Sequence, residues 1–102
     1  MSLPTLEHWI NGAPDAGDSS RLGDVYDPAL GTVQKQVRLG STKDVDRAVE
    51  AAAASFKEWG KASIAKRQTV MYNFRELLNA RKGELAEILT SEHGKVLSDA
   101  GG

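Results

Sequence analysis

Apolar residues recur at helical spacing between Asp44 and Trp59. They step by four, three, four and three positions through Val45, Val49, Ala52, Phe56 and Trp59. This period is typical of one face of an α-helix, and most of the charged residues fall elsewhere around the helix. Ser41 or Thr42 can cap its start, where Asp44 and Asp46 favour the positive end of the helix dipole. The pattern predicts a helix from about residue 42, with its two aromatic residues in a core.

Two further helical patterns follow. The second begins after Ser63, a predicted N-cap, and is expected to end at Lys82, with Gly83 in the left-handed conformation after the last turn. The third is expected to run from about Glu84 to Gly94. The residues after Gly94 start another helical pattern that stops within two turns, which we interpret as a truncation.

The residues before the first helix have the patterns of strands and turns. The apolar run from His8 to Ile10 ends in Asn11-Gly12, a pair that accepts positive φ at both positions and therefore predicts a hairpin turn. Asp27 to Gly31 predicts a second turn, and apolar and polar residues alternate after it from Val33 to Leu39. The predicted fold class is α+β: a β-hairpin or meander at about residues 7–39, followed by three to four helices at about residues 42–102.

The composition argues against several classes of partner and of catalytic site. The chain has 102 residues, 13 basic and 14 acidic residues, a formal net charge of −1 and no cysteine. The charge balance argues against a nucleic acid or an anionic membrane as partner. The missing cysteines exclude disulfides, zinc–thiolate sites and a cysteine nucleophile within these residues. The sequence has no apolar run of membrane-spanning length and no signal-peptide pattern, so we expect a cytoplasmic protein.

Candidate catalytic and binding residues are few. His8 and His93 have no second ligand at metal-binding spacing, so hydrogen-bonded or exposed histidines are favoured over a metal site. The segment from Asp18 resembles a calcium loop superficially, but Leu22 and Ala29 occupy ligand positions. The sequence has no glycine-rich phosphate loop and no nucleophile elbow. We therefore predict no catalytic, cofactor-binding or metal-binding residue in this chain.

The second helical region is basic. Its cations are most simply a solvated face, and a nucleic-acid surface is the weaker interpretation because acidic residues flank them and no aromatic residues are interleaved. Arg67 falls on the apolar stripe, which predicts a buried or interfacial ion pair for it. The cations are Lys61, Lys66, Arg67, Arg75, Arg81 and Lys82.

Seven short motifs follow one another along the chain: Trp9-Ile10-Asn11-Gly12, Asp27-Pro28-Ala29-Leu30-Gly31, Asp44-Val45-Asp46-Arg47-Ala48-Val49, Phe56-Lys57-Glu58-Trp59, Lys66-Arg67, Glu84-Leu85-Ala86 and Glu92-His93-Gly94-Lys95. Their order resembles the N-terminal portion of the aldehyde dehydrogenase superfamily. The similarity runs from His8 onward, and the segment from Glu92 to Ala100 is most similar to the methylmalonate-semialdehyde dehydrogenase branch, which acylates coenzyme A. Asp27 and Leu30 depart from the usual Asn and Thr, and neither change disturbs the predicted turn.

The resemblance implies that residues 1–102 are a single truncated segment from the N-terminal part of an NAD-binding domain. The complete enzyme would be an NAD-dependent oxidoreductase that oxidises a semialdehyde, forms a thioacyl enzyme on a cysteine and passes the acyl group to coenzyme A. The cysteine lies beyond residue 102 in the family pattern, so the chain alone is expected to be inactive and to bind no cofactor. The implied partners are the remainder of the dehydrogenase and further copies in a homo-oligomer.

The sequence is also compatible with three alternative functions. The chain can belong to another branch of the superfamily, or it can be a stand-alone helical module that binds a protein partner. A nucleic-acid binder is a third and weaker alternative. If the helices lack the rest of the enzyme, their apolar faces are left uncovered and the chain is expected to associate with itself or with another protein.

Overall fold

The computed structural model describes residues 2–102 and confirms the α+β class, with strands first and helices after them. Five strands and four helices lie in this described part of the chain. They are β1 (Thr5–Leu6), β2 (His8–Ile10), β3 (Ala13–Asp15), β4 (Leu22–Asp27), β5 (Thr32–Arg38), α1 (Thr42–Trp59), α2 (Ile64–Ala80), α3 (Lys82–His93) and α4 (Leu97–Ala100). They form two compact units: the described residues up to 26 with residues 33–61, and residues 27–32 with residues 62–102.

The first unit contains the hairpin that the sequence predicts. β2 and β3 pair in antiparallel fashion, with Trp9 opposite Pro14, and they are joined by Asn11 (φ 55°) and Gly12 (φ 79°). Positive φ at both positions suits the right-handed twist of the strands, so the predicted hairpin turn is confirmed. A second sheet has the order β1-β5-β4, in which the two-residue β1 runs parallel to β5. Two residues are too few to show an alternating pattern, so the sequence does not predict β1.

Helix α1 begins where the sequence predicts. The Ser41 hydroxyl accepts a hydrogen bond from the Asp44 backbone N–H at 3.2 Å, and the Asp44 carboxylate accepts one from the Ser41 N–H at 2.9 Å. This capping box satisfies two of the N–H groups that a helix start leaves without intrahelical partners. Phe56, a candidate core residue of this helix, is 67% exposed, and Trp59 is 37% exposed. On the apolar face that the spacing locates, Val45 and Val49 are also more than half exposed, at 59% and 60%.

In the second unit the start of α2 is as predicted and its end is not. Ser63 caps α2 by accepting from the Lys66 N–H at 3.1 Å. The helix ends at Ala80, and Gly83 lies inside the first turn of α3 instead of in a left-handed cap. The chain changes direction at Arg81 (φ −110°, ψ 17°), whose guanidinium then binds Glu84 in α3. This ion pair favours a helix start two residues earlier than the predicted one at about Glu84.

The end of α3 confirms its prediction. Gly94 adopts the left-handed conformation (φ 89°) and its N–H donates to the Thr90 carbonyl at 2.8 Å. A side chain at Gly94 would also lie 3.1 Å from Pro28 Cγ. Pro28 belongs to the predicted turn, in which the Gly31 N–H donates to the Asp27 carbonyl at 2.8 Å.

The described residues bury little. Among them only Ala86 (8% exposed) is a buried apolar side chain and only Asp44 (4% exposed) a buried polar one. The total accessible surface is 7974 Å². A folded monomer of this mass would expose about 5,600 Å², and even two separate units of half that mass would expose about 6,800 Å² together. Much apolar surface is therefore available for packing against other protein.

We expect Ser41→Ala to destabilise α1 by about 1 kcal/mol, because the Asp44 N–H loses its side-chain acceptor. Urea unfolding followed by far-UV circular dichroism measures the effect. Thr42→Ala is the matched control, since Thr42 is the first residue of the helix and not its cap. Equal unfolding midpoints for the two variants would show that the capping bond contributes nothing.

Candidate functional site

The buried carboxylate of Asp44 is the centre of the largest polar cluster in the first unit. Its Oδ2 accepts from the Ser41 N–H at 2.9 Å. Its Oδ1 accepts from the Asp18 N–H at 3.0 Å and from Arg47 Nη2 at 2.8 Å. These donors all favour the charged form, the Ser41 N–H most, and they hold the pKa of Asp44 far below its usual range. The carboxylate therefore joins the start of α1 to the loop after β3 as a permanent anion.

Arg47 connects Asp44 to β3. Its Nη1 and Nη2 donate to the two carboxylate oxygens of Asp15 at 2.6 and 2.9 Å, the paired geometry that makes arginine–carboxylate contacts strong. The guanidinium lowers the pKa of Asp15 to about 2, helped by the Gly17 N–H, which donates to Asp15 Oδ1 at 2.8 Å. The two carboxylates in turn raise the pKa of Arg47 above its usual value. One cation thus links two anions that lie 29 positions apart in the sequence.

Gly17 allows the loop to approach this cluster. Its φ of 72° disfavours a side chain, and a Cβ there would lie 2.7 Å from Asp44 Oδ2 and 3.0 Å from the His8 ring. His8 Nε2 is enclosed and lies 3.8 Å from Asp44 Oδ2, which is too far for a hydrogen bond. His8 therefore packs beside the cluster as a neighbour and does not complete a proton-transfer chain.

The charged groups of this cluster are engaged by one another and by backbone N–H groups. The described residues contain no grouping of three or more histidine, cysteine, aspartate or glutamate side chains able to hold a metal ion. The oxygens of Asp15 and Asp44 already accept hydrogen bonds, so neither carboxylate is free to act as a general base. The start of α1 is closed to a phosphate group as well, because Asp44 occupies the position that an anion would take at the helix N-terminus.

The other candidate functional residues from the sequence lie on different elements. His93 is the exposed last residue of α3, and the carboxylate of Asp18 lies 4.0 Å from Lys43 Nζ rather than in a calcium loop. Of the basic residues, Arg81 pairs with Glu84, and Arg67 is half-buried on α2, as its place on the apolar stripe suggests. The predicted ion pair of Arg67 stays a prediction.

The sequence does not predict the Asp15–Arg47 pair. Their ion pair spans 32 positions, and nothing in the local pattern of either residue points to the other. The sequence does predict Ser41 as one of two candidate caps and Asp44 as a favourable charge at the helix start, but not the bond from the Ser41 N–H to the Asp44 carboxylate.

The second unit has a groove on its surface. Apolar side chains of α2 and α3 line a depression of about 370 Å³, with the Arg81–Glu84 pair among its lining residues. The apolar lining is Phe74, Leu77, Leu78, Leu85 and Ile88, which are between 41% and 62% exposed. No helix in the described part of the chain is long and apolar enough to cross a bilayer.

The chain is similar to known proteins over nearly its whole length. It is 39% identical to the malonate-semialdehyde dehydrogenase of Pseudomonas aeruginosa over 100 residues, which is 98% of this chain and 20% of the relative. The "Malonate-semialdehyde dehydrogenase 1" of Shouchella clausii is 38% identical over the full 102 residues, 21% of the relative. The chain therefore spans about a fifth of the length of the curated relatives it matches.

Solved structures show the same fold. A protein of Sinorhizobium meliloti, assigned as a methylmalonate-semialdehyde dehydrogenase and complexed with NAD, is 40% identical with a TM-score of 0.95, covering 98% of this chain and 20% of that one. The methylmalonate-semialdehyde dehydrogenase of Oceanimonas doudoroffii is 37% identical with a TM-score of 0.93, covering 97% and 20%.

We expect Asp44→Asn to lower the urea midpoint of the chain clearly, because the amide cannot balance the guanidinium charge of Arg47 and places an N–H₂ group among donors. Asp46→Asn is the matched control: it makes the same change of charge at an exposed position of the same helix. Similar small shifts for the two variants would contradict the central role of the Asp44 carboxylate.

The loss of folding stability at low pH should depend on Arg47. A carboxyl whose pKa is lower in the folded than in the unfolded chain adds stability above its unfolded pKa, about 4, and loses it as the pH falls through the folded pKa. For Asp15 this window extends down to about pH 2, and for Asp44 it extends lower still. We therefore expect stability to fall steeply below pH 4.

Arg47→Met removes the guanidinium that lowers the pKa of both carboxyl groups, so the variant should be less stable at pH 7 and should lose less stability between pH 4 and pH 2. Urea midpoints measured across this range test the expectation, with Arg75→Met on exposed α2 as the control. Parallel curves for the wild type and Arg47→Met would refute it.

The match that decides the family is with the aldehyde dehydrogenase model, which aligns with residues 15–102, and the chain belongs to the aldehyde dehydrogenase family.

Proposed function

We propose that these residues are the N-terminal portion of an NAD-dependent, coenzyme A-acylating dehydrogenase of the methylmalonate-semialdehyde type. The observation that carries the proposal is the similarity of almost the whole chain, at 37–40% identity and TM-scores of 0.93–0.95, to two methylmalonate-semialdehyde dehydrogenase structures. The semialdehyde named for the curated relatives is malonate semialdehyde, so the substrate is a short semialdehyde of this kind.

In the proposed reaction the aldehyde is oxidised, NAD is reduced, and the acyl group passes from an enzyme cysteine to the thiol of coenzyme A. A thiolate is needed to form the thioacyl intermediate, and the 102 residues contain no cysteine. The polar cluster of Asp15, Asp44 and Arg47 already forms hydrogen bonds within the chain. The part of the enzyme represented here is therefore architectural, it carries no catalytic, cofactor-binding or metal-binding residue, and it is inactive alone.

The proposal also covers the domain to which the residues belong, the oligomeric state of the enzyme, its localisation and its partner. Residues 1–102 act as one segment of the NAD-binding domain, the enzyme is a cytoplasmic homo-oligomer, and the remainder of the dehydrogenase is the principal partner of the segment. Support comes from the exposed apolar residues of α1, where Val45, Val49 and Phe56 are 59%, 60% and 67% exposed. Such a face is unfavourable in water and favourable against protein.

A second candidate is a stand-alone module that binds a separate protein. The same exposed faces favour it, since they would suit any apolar partner. The two functions predict different activities when the residues are joined to the rest of a dehydrogenase. A dehydrogenase segment should restore NAD reduction, and a stand-alone module should not.

A chimera tests the main proposal. These 102 residues replace the matched fifth of the Pseudomonas aeruginosa enzyme, and NAD reduction is measured with malonate semialdehyde and coenzyme A. We expect the chimera to be soluble and active and to form an acyl-coenzyme A product, and the 102-residue chain alone to show no NAD reduction. The Pseudomonas enzyme without its matched segment is the control and should be inactive.

Two results would overturn the proposal. An insoluble or inactive chimera would mean that this segment is not equivalent to that of the relatives. NAD reduction by the pure 102-residue chain would mean that the segment is catalytic after all.

A further inference from the structure

The turn of the β2–β3 hairpin contains the one asparagine of this chain that a glycine follows. The three asparagines lie at positions 11, 73 and 79, and they precede Gly12, Phe74 and Ala80. All three are exposed, but Asn73 and Asn79 lie inside α2. The hairpin turn therefore differs from the other two places in its backbone conformation and in the residue that follows, and not in its access to water.

An asparagine amide is lost without an enzyme when the backbone nitrogen of the next residue attacks the side-chain carbonyl carbon. A new C–N bond closes a five-membered succinimide ring, and the side-chain nitrogen leaves as ammonia with the proton of the attacking nitrogen. Water then adds to one of the two ring carbonyls. Opening at the side-chain carbonyl gives aspartate, and opening at the backbone carbonyl gives isoaspartate, whose main chain runs through Cβ. No atom is oxidised or reduced, and water is the only co-reactant.

The hairpin turn is open to this attack. Gly12 has no side chain beside its nitrogen, and a Cβ built there would meet nothing within 4 Å. Asn11 (φ 55°) and Gly12 (φ 79°) must leave their tight turn before the ring can close, so the hairpin has to open locally. β2 and β3 form a sheet of only two strands with three residues each, and such a hairpin is marginally stable in water.

The same attack is hindered in α2. Within an α-helix each backbone N–H donates to the carbonyl four residues earlier, which holds the nitrogen away from the side chain that precedes it. Phe74 and Ala80 also carry a Cβ beside the attacking nitrogen. Asn73 and Asn79 are therefore internal controls, equally exposed to solvent but restrained by their helix.

We propose that Asn11 is a site of spontaneous deamidation, at which the chain converts its own hairpin turn into isoaspartate and aspartate by reaction with water. The inference goes beyond the proposed function and does not depend on it. The turn is suited to the reaction because glycine follows the asparagine, because both residues are exposed, and because the hairpin that holds them is short.

The modification has a consequence for the polar cluster. Loop length sets the register of a hairpin, and the extra main-chain atom of isoaspartate does not fit the two-residue turn that places Trp9 opposite Pro14. Loss of this pairing releases β3, whose last residue Asp15 binds both guanidinium nitrogens of Arg47. Deamidation at Asn11 thus weakens the contact between β3 and the first turns of α1.

Tryptic mapping tests the site, because cleavage places the three asparagines in separate peptides, residues 1–21, 68–75 and 76–81. The chain is incubated in neutral buffer and digested at mildly acidic pH, and the mass gain from exchange of NH₂ for OH is followed. We expect peptide 1–21 to convert at least about tenfold faster than the other two, the factor that a helix-opening cost of about 1.4 kcal/mol supplies. Asn11→Gln is the matched control: it keeps an amide but must close a larger ring, so its peptide should keep its mass.

A second measurement tests the consequence. The urea midpoint of the incubated chain should fall as isoaspartate accumulates. Freshly prepared Asn11→Asp carries the new charge without the extra main-chain atom, and its midpoint should stay close to that of the wild type. Equal midpoints for the incubated and the fresh wild-type chain, with the amide lost, would refute the link between the turn and the polar cluster.

Two results would overturn the site itself. Peptide 1–21 could keep its amide as long as the other two peptides do, or it could convert in urea and not in buffer, which would mean that the native hairpin protects Asn11. Incubation of the chimera separates this inference from the proposed function. An inactive chimera that deamidates at Asn11 overturns the proposed function alone, and an active chimera that keeps the amide overturns the inference alone.

Discussion

The burial of one carboxylate organises the first half of this chain. Asp44 is 4% exposed, and an ionised carboxylate at that depth is tolerated only if donors replace its water. Two segments supply them: α1 with its cap gives the Ser41 N–H and the guanidinium of Arg47, and the loop after β3 gives the Asp18 N–H. The carboxylate thus does more than cap a helix. Because its donors must all be in place at once, it fixes the path of the loop relative to α1.

This polar cluster matters more here than it would in a domain with a full core. Ala86 is the one buried apolar side chain in the part of the chain that the structure describes, and an alanine contributes little buried area. Helix α1 therefore receives its position in the first unit chiefly from directional contacts at its N-terminus. Its apolar face, which in most domains would be the main source of stability, is free to pack against something else. Under the proposed function, that something is the rest of the same polypeptide.

Much of the local structure was predictable from sequence because it depends on residues a few positions apart. Ser41 and Ser63 mark helix starts through bonds to the third residue on, and Asn11-Gly12 and Gly94 require backbone conformations that few residues accept. Gly83 failed as a signal because a glycine is also tolerated within a helix, and the Arg81–Glu84 pair outweighed it. The β1–β5 pairing and the Asp15–Arg47 bond were out of reach, since each joins segments about 30 positions apart and neither leaves a periodic trace.

The N-terminus of α1 illustrates how a charged side chain can take the place of a bound anion. A helix N-terminus attracts anions through its unpaired N–H groups, and this property makes it a frequent place for nucleotide phosphates. In α1 the chain's own Asp44 takes that place, held by Arg47, whose charge it neutralises together with Asp15. A phosphate would have to displace a carboxylate whose pKa is far below its usual range, against the donors that lower it. The interaction that stabilises the start of α1 is thus the same one that fills the anion position of this helix.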